Sequence, residues 1–451
     1  MAEREFEVVV IGAGAPGEVI AGRLGERGVS VAIVEERLVG GECSFYACMP
    51  SKALLRPIEL RAEARRVPGI PVGELNVPAV LERRDEVVHD LDDSSMLPWL
   101  EERDVTIVRG HGRLDGERRV RVGDDVLVGT RAVVVATGST ATIPPVPGLA
   151  ESRPWTNVEA TTAKAVPGRL FVLGGGVVGV EMAQAWAALG SRVTLVHRGD
   201  RLIEREEPFA SAQVEEALRR AGVDVRLETS TASVSRNGEL RIELEGGETI
   251  AADEVLVAVG RTPRTAELGL ETVGLEPGKH VRVDDSLRVD GRDWLYAIGD
   301  VNGRALLTHM GKYQARLAAD GILGKSVRIR SDGGASPRVI FTDPQVGAVG
   351  LTLVAAQEAG LRVRAVEVET SGNAGGSFVG RGAPGTARIV VDEDRGIVVG
   401  ATITGAEIAE ALHAATVAVA GKVPLEDLWH AVPAFPTRSE LWLRLLEAYG
   451  L

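Results

Sequence analysis

The chain has 451 residues, 45% apolar and 25% charged, which is room for about three globular domains at ~150 residues each. It carries 51 Lys and Arg against 64 Asp and Glu, a formal charge of −13, which argues against nucleic acid or an anionic membrane as the main partner. Cys43 and Cys48 are the only cysteines, so a disulfide-stapled scaffold is excluded, and no apolar run of roughly 18 residues suggests a membrane span.

The opening MAEREFEVVVIGAG passes from charged residues directly into a strand pattern without a signal-peptide apolar region, so the expected location is cytoplasmic. The spacing predicts a strand over Glu7–Ile11, a turn over Gly12–Gly17, a helix over Ala15–Arg27 and a strand over Val29–Val34 that ends on Glu35. Such a βαβ unit of about 30 residues is the size of a dinucleotide-binding half. Gly12 permits the tight turn, Gly14 lets the backbone reach a pyrophosphate, and Gly17 lets helix and strand pack closely. The helix N-terminus offers unpaired N–H groups to the phosphates. Glu35, 21 residues after Gly14, suits the hydroxyls of an adenosine ribose.

Next comes GGECSFYACMPSKALLRPIEL, read as a loop carrying Cys43 and a helix with Cys48 at its mouth and Pro50 in its first turn. A thiol at a helix N-terminus has its thiolate stabilised by the dipole, so Cys48 is expected to have the lower pKa. Lys52 lies one turn further on and adds positive charge. Two cysteines so placed read as a dithiol/disulfide switch. A metal site needs more ligands, and no His or further Cys lies within 30 residues, so no metal is assigned.

A second unit repeats the first. Leu170–Leu173 is the strand, Gly174, Gly176 and Gly179 make the turn, a helix runs to Gly190, and Val193–Val196 ends on His197. The carboxylate position is therefore His197, followed by Arg198, with Arg201 close by. Nothing there repels a 2′-phosphate and two basic groups can pair with it, so the nicotinamide is read as NADPH, with NADH possible. The alternative is a solvated basic turn that accepts either. A third region, from about Ser331, opens with PRVIFTDPQVGAVGLT and has no comparable Gly-rich turn.

Several further segments follow in order: Ala136-Thr137-Gly138, Glu181 after the second glycine turn, GRTP at Gly260–Pro263, and AIGD ending at Asp300. With Glu35 and the C-x4-C segment, these resemble the pyridine nucleotide-disulfide oxidoreductases, the family of lipoamide dehydrogenase and of glutathione, mycothione and mercuric reductases. The resemblance covers essentially the whole chain. It implies an α/β fold with two Rossmann-like domains, for FAD and NAD(P), plus an α+β C-terminal dimerisation domain. The segments would be 1–150 and 266–332 for FAD, 151–265 for NAD(P) and 333–451 for the dimer interface.

Residue by residue, the resemblance implies that Gly12, Gly14, Gly17 and Glu35 bind the FAD adenosine and pyrophosphate, and that Asp300 holds the ribityl chain. Thr137 and Gly138 would approach FAD, with the backbone around His309 near the flavin ring. Gly174, Gly176, Gly179, His197, Arg198 and Gly260 would serve the nucleotides. Lys52 and Glu181 would form an ion pair where hydride arrives. Cys43 would be the interchange thiol and Cys48 the charge-transfer thiol.

The C-terminus departs from the family. Where a His stands before Pro-Thr-x-Ser-Glu, this chain has Phe435 ahead of Pro436-Thr437-Arg438-Ser439-Glu440, and phenylalanine transfers no proton. Glu440 is left with nothing evident to orient, and His430 or Tyr46 are the candidate substitutes. Phe45, Tyr46 and Ala47 replace smaller residues, predicting a narrower, more aromatic approach to Cys43. The expected function is hydride transfer from NADPH through FAD to the Cys43–Cys48 disulfide and on to a non-standard acceptor, quinone-type or an unusual low-molecular-weight disulfide, in a homodimer without nucleic acid or membrane partners. The alternatives are a dihydrolipoamide dehydrogenase subunit of a multienzyme complex and a non-catalytic flavin redox sensor.

Overall fold

A computed structural model describes residues 2–383 and 385–451 of the chain. Its contacts divide the protein into two units, and each is described by itself. The first comprises residues up to Pro50, Arg84–Thr142 and Gly260–Gly333. Its sheet has a parallel core, with Val105–Arg109, Val31–Glu35, Glu3–Ile11 and Asp125–Val135 in that order and Leu295–Ala297 added beside the last. Two antiparallel strands, Arg119–Val122 and Gly112–Leu114, extend it.

Val8–Ile11 face Val31–Val34 on one side and Ala132–Val135 on the other. All are buried, the run of apolar residues expected of a strand covered on both faces. Strand alternation divides them between two cores. Val8, Val10, Ile33 and Val134 pack with Ile20 and Leu24 of the helix Ala15–Gly25 and with Ala315, Ala318 and Ile322 of the helix Thr308–Ile322. Val9, Ile11, Val34 and Val135 pack with Leu114, Val120 and Leu268 on the opposite face.

The second unit comprises Ser51–Arg83, Ile143–Val259 and Gly334–Leu451. A parallel sheet runs Asp224–Arg226, Arg192–Val196, Arg169–Leu173, Glu254–Val257. The helices Val177–Ala188 and Pro208–Arg220 cover one face, and the antiparallel strands Thr231–Asn237, Glu239–Leu244 and Thr249–Ala252 cover the other. Leu54, Leu55, Val80 and Leu81, which the sequence reading assigned to the 1–150 segment, pack into the core on the helical face.

A five-stranded antiparallel sheet follows, in the order Arg338–Ile340, Gln345–Gly350, Ile397–Gly405, Thr386–Asp392, Val363–Glu369. It packs against the helices Ile408–Gly421 and Glu440–Tyr449 through Leu412, Ala415, Leu441 and Leu445. The architecture is thus α/β, with two Rossmann-like halves and an α+β C-terminal region. Among the described residues no helix is long and apolar enough to cross a membrane.

Candidate active site

The two glycine turns are built alike. A Cβ at Gly12 (φ +102°) would lie 2.5 Å from the Ala136 carbonyl oxygen, and one at Gly174 (φ +114°) 2.4 Å from that of Ala258. A Cβ at Gly17 or Gly179 would lie 1.9 Å from the carbonyl oxygen of Gly12 or Gly174 respectively. The middle glycines differ from these. A Cβ at Gly14 would meet only the Gly41 Cα, at 4.0 Å, and one at Gly176 only the Ala258 oxygen, at 4.0 Å. Each middle glycine also precedes a helix without a side-chain cap. An open backbone surface at an uncapped helix N-terminus fits a pyrophosphate.

The strand ends differ between the halves. Glu35 accepts hydrogen bonds from the Ala13 and Arg37 N–H groups, each at 2.8 Å. At the equivalent place, His197 Nδ1 accepts from the Gly175 N–H at 3.2 Å and Nε2 lies 3.2 Å from Glu204 Oε1. His197 therefore does for its turn what Glu35 does for the first, rather than standing free as a cation. Arg201 is likewise turned into its own loop, donating to the Glu206 carbonyl at 2.8 Å and the Glu204 carbonyl at 2.5 Å. This corrects the expectation of a cluster of free basic groups. Arg198 alone is left exposed, forming no hydrogen bond or ion pair among the described residues.

Cys43 lies in a short helix, Gly41–Phe45, and not in a loop as expected, while Cys48 opens the helix Cys48–Arg66. Both are free thiols. Thr308 Oγ1, at the start of the helix Thr308–Ile322, lies 3.5 Å from Cys48 Sγ. The hydrogen bond with Cys48, then burial, push the Cys43 thiol well up, and Thr308 and Lys312 act in the opposite sense. Cys48, at the helix mouth, is the sulfur better placed to carry negative charge. Phe45 and Tyr46 are turned inward, 1% and 9% exposed, and the Arg37 guanidinium lies 4.6 Å from the Tyr46 ring centroid. The aromatic rings thus belong to the interior and do not form the narrow approach that the sequence suggested.

Beside Cys43 stands a charge network that the sequence reading missed. Glu42 accepts from Arg261 Nη2 at 2.5 Å and from Arg264 Nη2 at 2.9 Å. Arg261 also donates to Ser139 Oγ at 2.7 Å, and Ser139 Oγ donates to Asp300 at 2.6 Å. Burial pushes the Asp300 carboxyl up, opposed by Ser139 and Arg261. Thr137 Oγ1 donates to the Arg264 carbonyl at 2.9 Å. Gly138 and Gly260 both have positive φ and no atom within 4 Å of a built Cβ, which leaves backbone free to meet a ligand. His309 is exposed in the uncapped first turn of its helix.

In the second unit, Lys52 Nζ lies 2.8 Å from Glu181 Oε2. The other carboxylate oxygen accepts from the Phe341 N–H at 2.9 Å, and Lys52 Nζ sits 4.8 Å from the Phe341 ring centroid. Phe341 was not singled out by sequence because its contact with Glu181 is entirely non-local. Further on, Phe435 is 78% exposed. Glu440 has a structural partner, accepting from the Gly375 N–H at 3.2 Å. His430 is exposed at the end of the helix Leu425–His430.

Two nucleotide cradles and a dithiol flanked by a threonine define a flavoprotein oxidoreductase. The chain belongs to the pyridine nucleotide-disulphide oxidoreductases: that family's model matches residues 6–317, and the model of its dimerisation domain matches residues 336–445. Such enzymes are FAD-dependent with NAD(P)H as electron donor, and this chain is one of them. A mercuric reductase of Streptomyces lividans is 34% identical, over 94% of this chain and 93% of its own length. A dihydrolipoyl dehydrogenase of Chlamydia trachomatis is 32% identical, over 97% and 95%. Among solved structures, the HOCl-induced flavoprotein disulfide reductase RclA from Escherichia coli matches with a TM-score of 0.86 at 25% identity, covering 98% of this chain and 99% of that one. LpdA from Mycobacterium tuberculosis matches at 0.87 and 24% identity over the whole of both chains, a likeness of fold.

Proposed function

We propose that the protein passes a hydride from NADPH through FAD to the Cys43–Cys48 disulfide and on to an acceptor other than lipoamide or glutathione disulfide. The observation that carries this reading is Phe435. An exposed apolar side chain occupies the position from which the family's His would move a proton, and general acid–base help of this kind typically contributes roughly 10²- to 10⁴-fold. An acceptor that needs little proton transfer at sulfur, a quinone or a low-molecular-weight disulfide with an activated leaving thiol, fits its absence.

In this reading residues 1–150 and 266–332 hold FAD, 151–265 the nicotinamide nucleotide and 333–451 the dimer interface. Gly12, Gly14, Gly17 and Glu35 would take the FAD pyrophosphate and adenosine, Thr137 and Gly138 would lie in a loop that approaches FAD, and Asp300 would take the ribityl hydroxyls. The uncapped helix N-terminus around His309 would lie near the flavin ring. Gly174, Gly176, Gly179 and Gly260 take the nicotinamide nucleotide, and Arg198 supports the preference for NADPH because it alone keeps a free charge beside His197. Lys52 and Glu181 hold each other where hydride enters. When bound, FAD supplies the relay between a nicotinamide hydride and a dithiol. Cys48 then holds thiolate charge at its helix mouth while Cys43 meets the acceptor. A homodimer is supported by exposed apolar side chains in the dimerisation region, Phe378 at 71%, Val432 at 84% and Phe435 at 78%. The location proposed is the cytoplasm.

The dihydrolipoyl dehydrogenases among the relatives favour a second reading, that of a shared subunit serving a lipoyl domain. One experiment separates the two: steady-state turnover of the FAD-loaded enzyme with NADPH and NADH against panels of quinones, low-molecular-weight disulfides and a lipoyl domain, repeated on Cys48→Ser. The proposal expects quinones or an activated disulfide to turn over with NADPH preferred. Fast turnover of lipoamide would overturn it.

A further inference from the structure

The loop of residues 198–207, which follows the strand Arg192–Val196, is fixed at both ends. At the near end it lies on the second glycine turn. The Ile203 N–H donates to the Gly175 carbonyl at 2.8 Å, a Cβ on Gly175 would lie 2.6 Å from Leu202 Cδ2, and Glu204 meets His197. Ile203 is buried with φ +43°, a conformation that a β-branched residue keeps only where its surroundings over-determine it. Arg198 is therefore carried on a loop whose path is imposed by what it packs on.

At the far end the loop reaches the C-terminal sheet. Arg338 Nε, on the strand Arg338–Ile340, donates to Glu206 Oε1 at 2.6 Å. Arg388 Nη1, on the strand Thr386–Asp392, donates to Glu207 Oε2 at 2.5 Å. Both carboxylates are buried, at 5% and 1% exposure, and the other oxygen of Glu207 accepts from the Leu353 N–H at 2.8 Å. The Arg388 guanidinium lies 5.1 Å from the Phe209 ring centroid. One turn further along the helix Pro208–Arg220, Gln213 donates to Thr386 Oγ1 at 2.9 Å and accepts from Thr404 Oγ1 at 2.5 Å. A buried ion pair gains little stability over apolar residues of similar volume. Its charge-assisted hydrogen bonds instead accept a narrow geometry, which suits a part that must hold a position.

The geometry points to Glu206–Arg338 and Glu207–Arg388 as a latch that positions the nicotinamide nucleotide site from the C-terminal sheet. This rests on the reading above that the second glycine turn holds that nucleotide. The four are positioning residues, acting through the loop they anchor. The loop between latch and turn is braced along its length. Arg201 donates to the Glu206 carbonyl at 2.8 Å and to the Glu204 carbonyl at 2.5 Å, and Ser211 Oγ donates to the Leu202 carbonyl at 2.5 Å. A shift at Glu206 or Glu207 is thus passed to Leu202, Ile203 and the Gly175 carbonyl instead of being absorbed by slack chain. With the latch released, nucleotide binding must itself order residues 198–207, and that ordering weakens affinity.

The test is the affinity of the FAD-loaded enzyme for NADP⁺ and NAD⁺, read by isothermal titration and independent of the acceptor. The double variants Glu206→Gln/Arg338→Met and Glu207→Gln/Arg388→Met each remove one ion pair without leaving a buried charge. In each, the Kd for NADP⁺ is expected to rise about tenfold, while the limiting rate of flavin reduction at saturating NADPH stays close to that of the parent. Arg362→Met, which removes exposed ion pairs with Glu393 and Asp394 in the same C-terminal region, should leave both Kd values unchanged. Gln213→Leu loosens the docking without touching a charge and answers the case in which a double variant does not fold; its Kd for NADP⁺ should rise about fivefold. Unchanged Kd values for both nucleotides in these latch variants, with or without a lower melting temperature, overturn the proposal. If Arg198→Glu alters neither Kd while the latch variants raise both, the NADPH preference fails and the latch stands.

Discussion

Lys52 Nζ lies 2.8 Å from Glu181 Oε2, and the other oxygen of that carboxylate is held by the Phe341 N–H. Glu181 is 3% exposed, so its charge depends on this one ammonium group. Removing one partner of a buried pair typically costs 3–5 kcal/mol, but the Lys52 side chain is 34% exposed and water screens part of the loss. Lys52→Met is therefore expected to destabilise the protein by about 2 kcal/mol in urea melts. It should also slow flavin reduction by NADPH in stopped-flow measurements. A variant as stable as the parent would show that the pair holds no structural energy.

The glycines of the first turn should separate folding from binding. Gly17→Ala places a methyl group 1.9 Å from the Gly12 oxygen, so the turn must distort, and a loss of several kcal/mol is expected. Gly14 has φ −69° and open space beyond it, so Gly14→Ala should leave the melting temperature of the apoprotein within a few degrees. Its affinity for FAD should fall at least about tenfold because the methyl group stands where a phosphate approaches. FAD titration and thermal melts of both apoproteins check this. Equal FAD affinity in Gly14→Ala and the parent would remove that cradle.

Arg198 carries the nicotinamide preference if any side chain at this strand end does. Arg198→Glu should raise the KM for NADPH about tenfold or more, a charge-assisted hydrogen bond contributing about 1.5–3 kcal/mol. The KM for NADH should change little, which makes the ratio of the two the quantity to measure. An unchanged ratio would mean that the turn tolerates either cofactor.

Glu18 couples stability to pH. Its folded-state pKa of about 7 lies above the reference 4.5, so folding favours the protonated form. That stabilisation is fully present below about pH 4.5 and is lost as pH rises through about 7. Glutamine does not titrate, so the stability advantage of Glu18→Gln over the parent should widen by about 2 kcal/mol between pH 5.5 and pH 8.5. Urea melts at the two pH values read the difference. A constant gap would mean that the carboxyl is already ionised in the fold.

The sequence determined what is local. Glycine spacing sets each turn because the third glycine of each triad has no room for a methyl group against the carbonyl of the first, a constraint felt within six residues. The alternation of Val8–Ile11 between two cores follows from the same short-range geometry. The strand nevertheless begins at Glu3, four residues before the predicted start, because Glu3–Phe6 pair with Val126–Gly129 although their side chains read as polar surface. Long-range packing decided the rest. Thr308 reaches Cys48 across 260 residues of chain, and Arg261 and Arg264 close on Glu42. His197, an apparent free cation in sequence, is bonded at both ring nitrogens. No periodicity encodes such contacts, since each depends on how separate helices and turns meet at one point, and that is fixed only when the cores on the two faces of the sheet close.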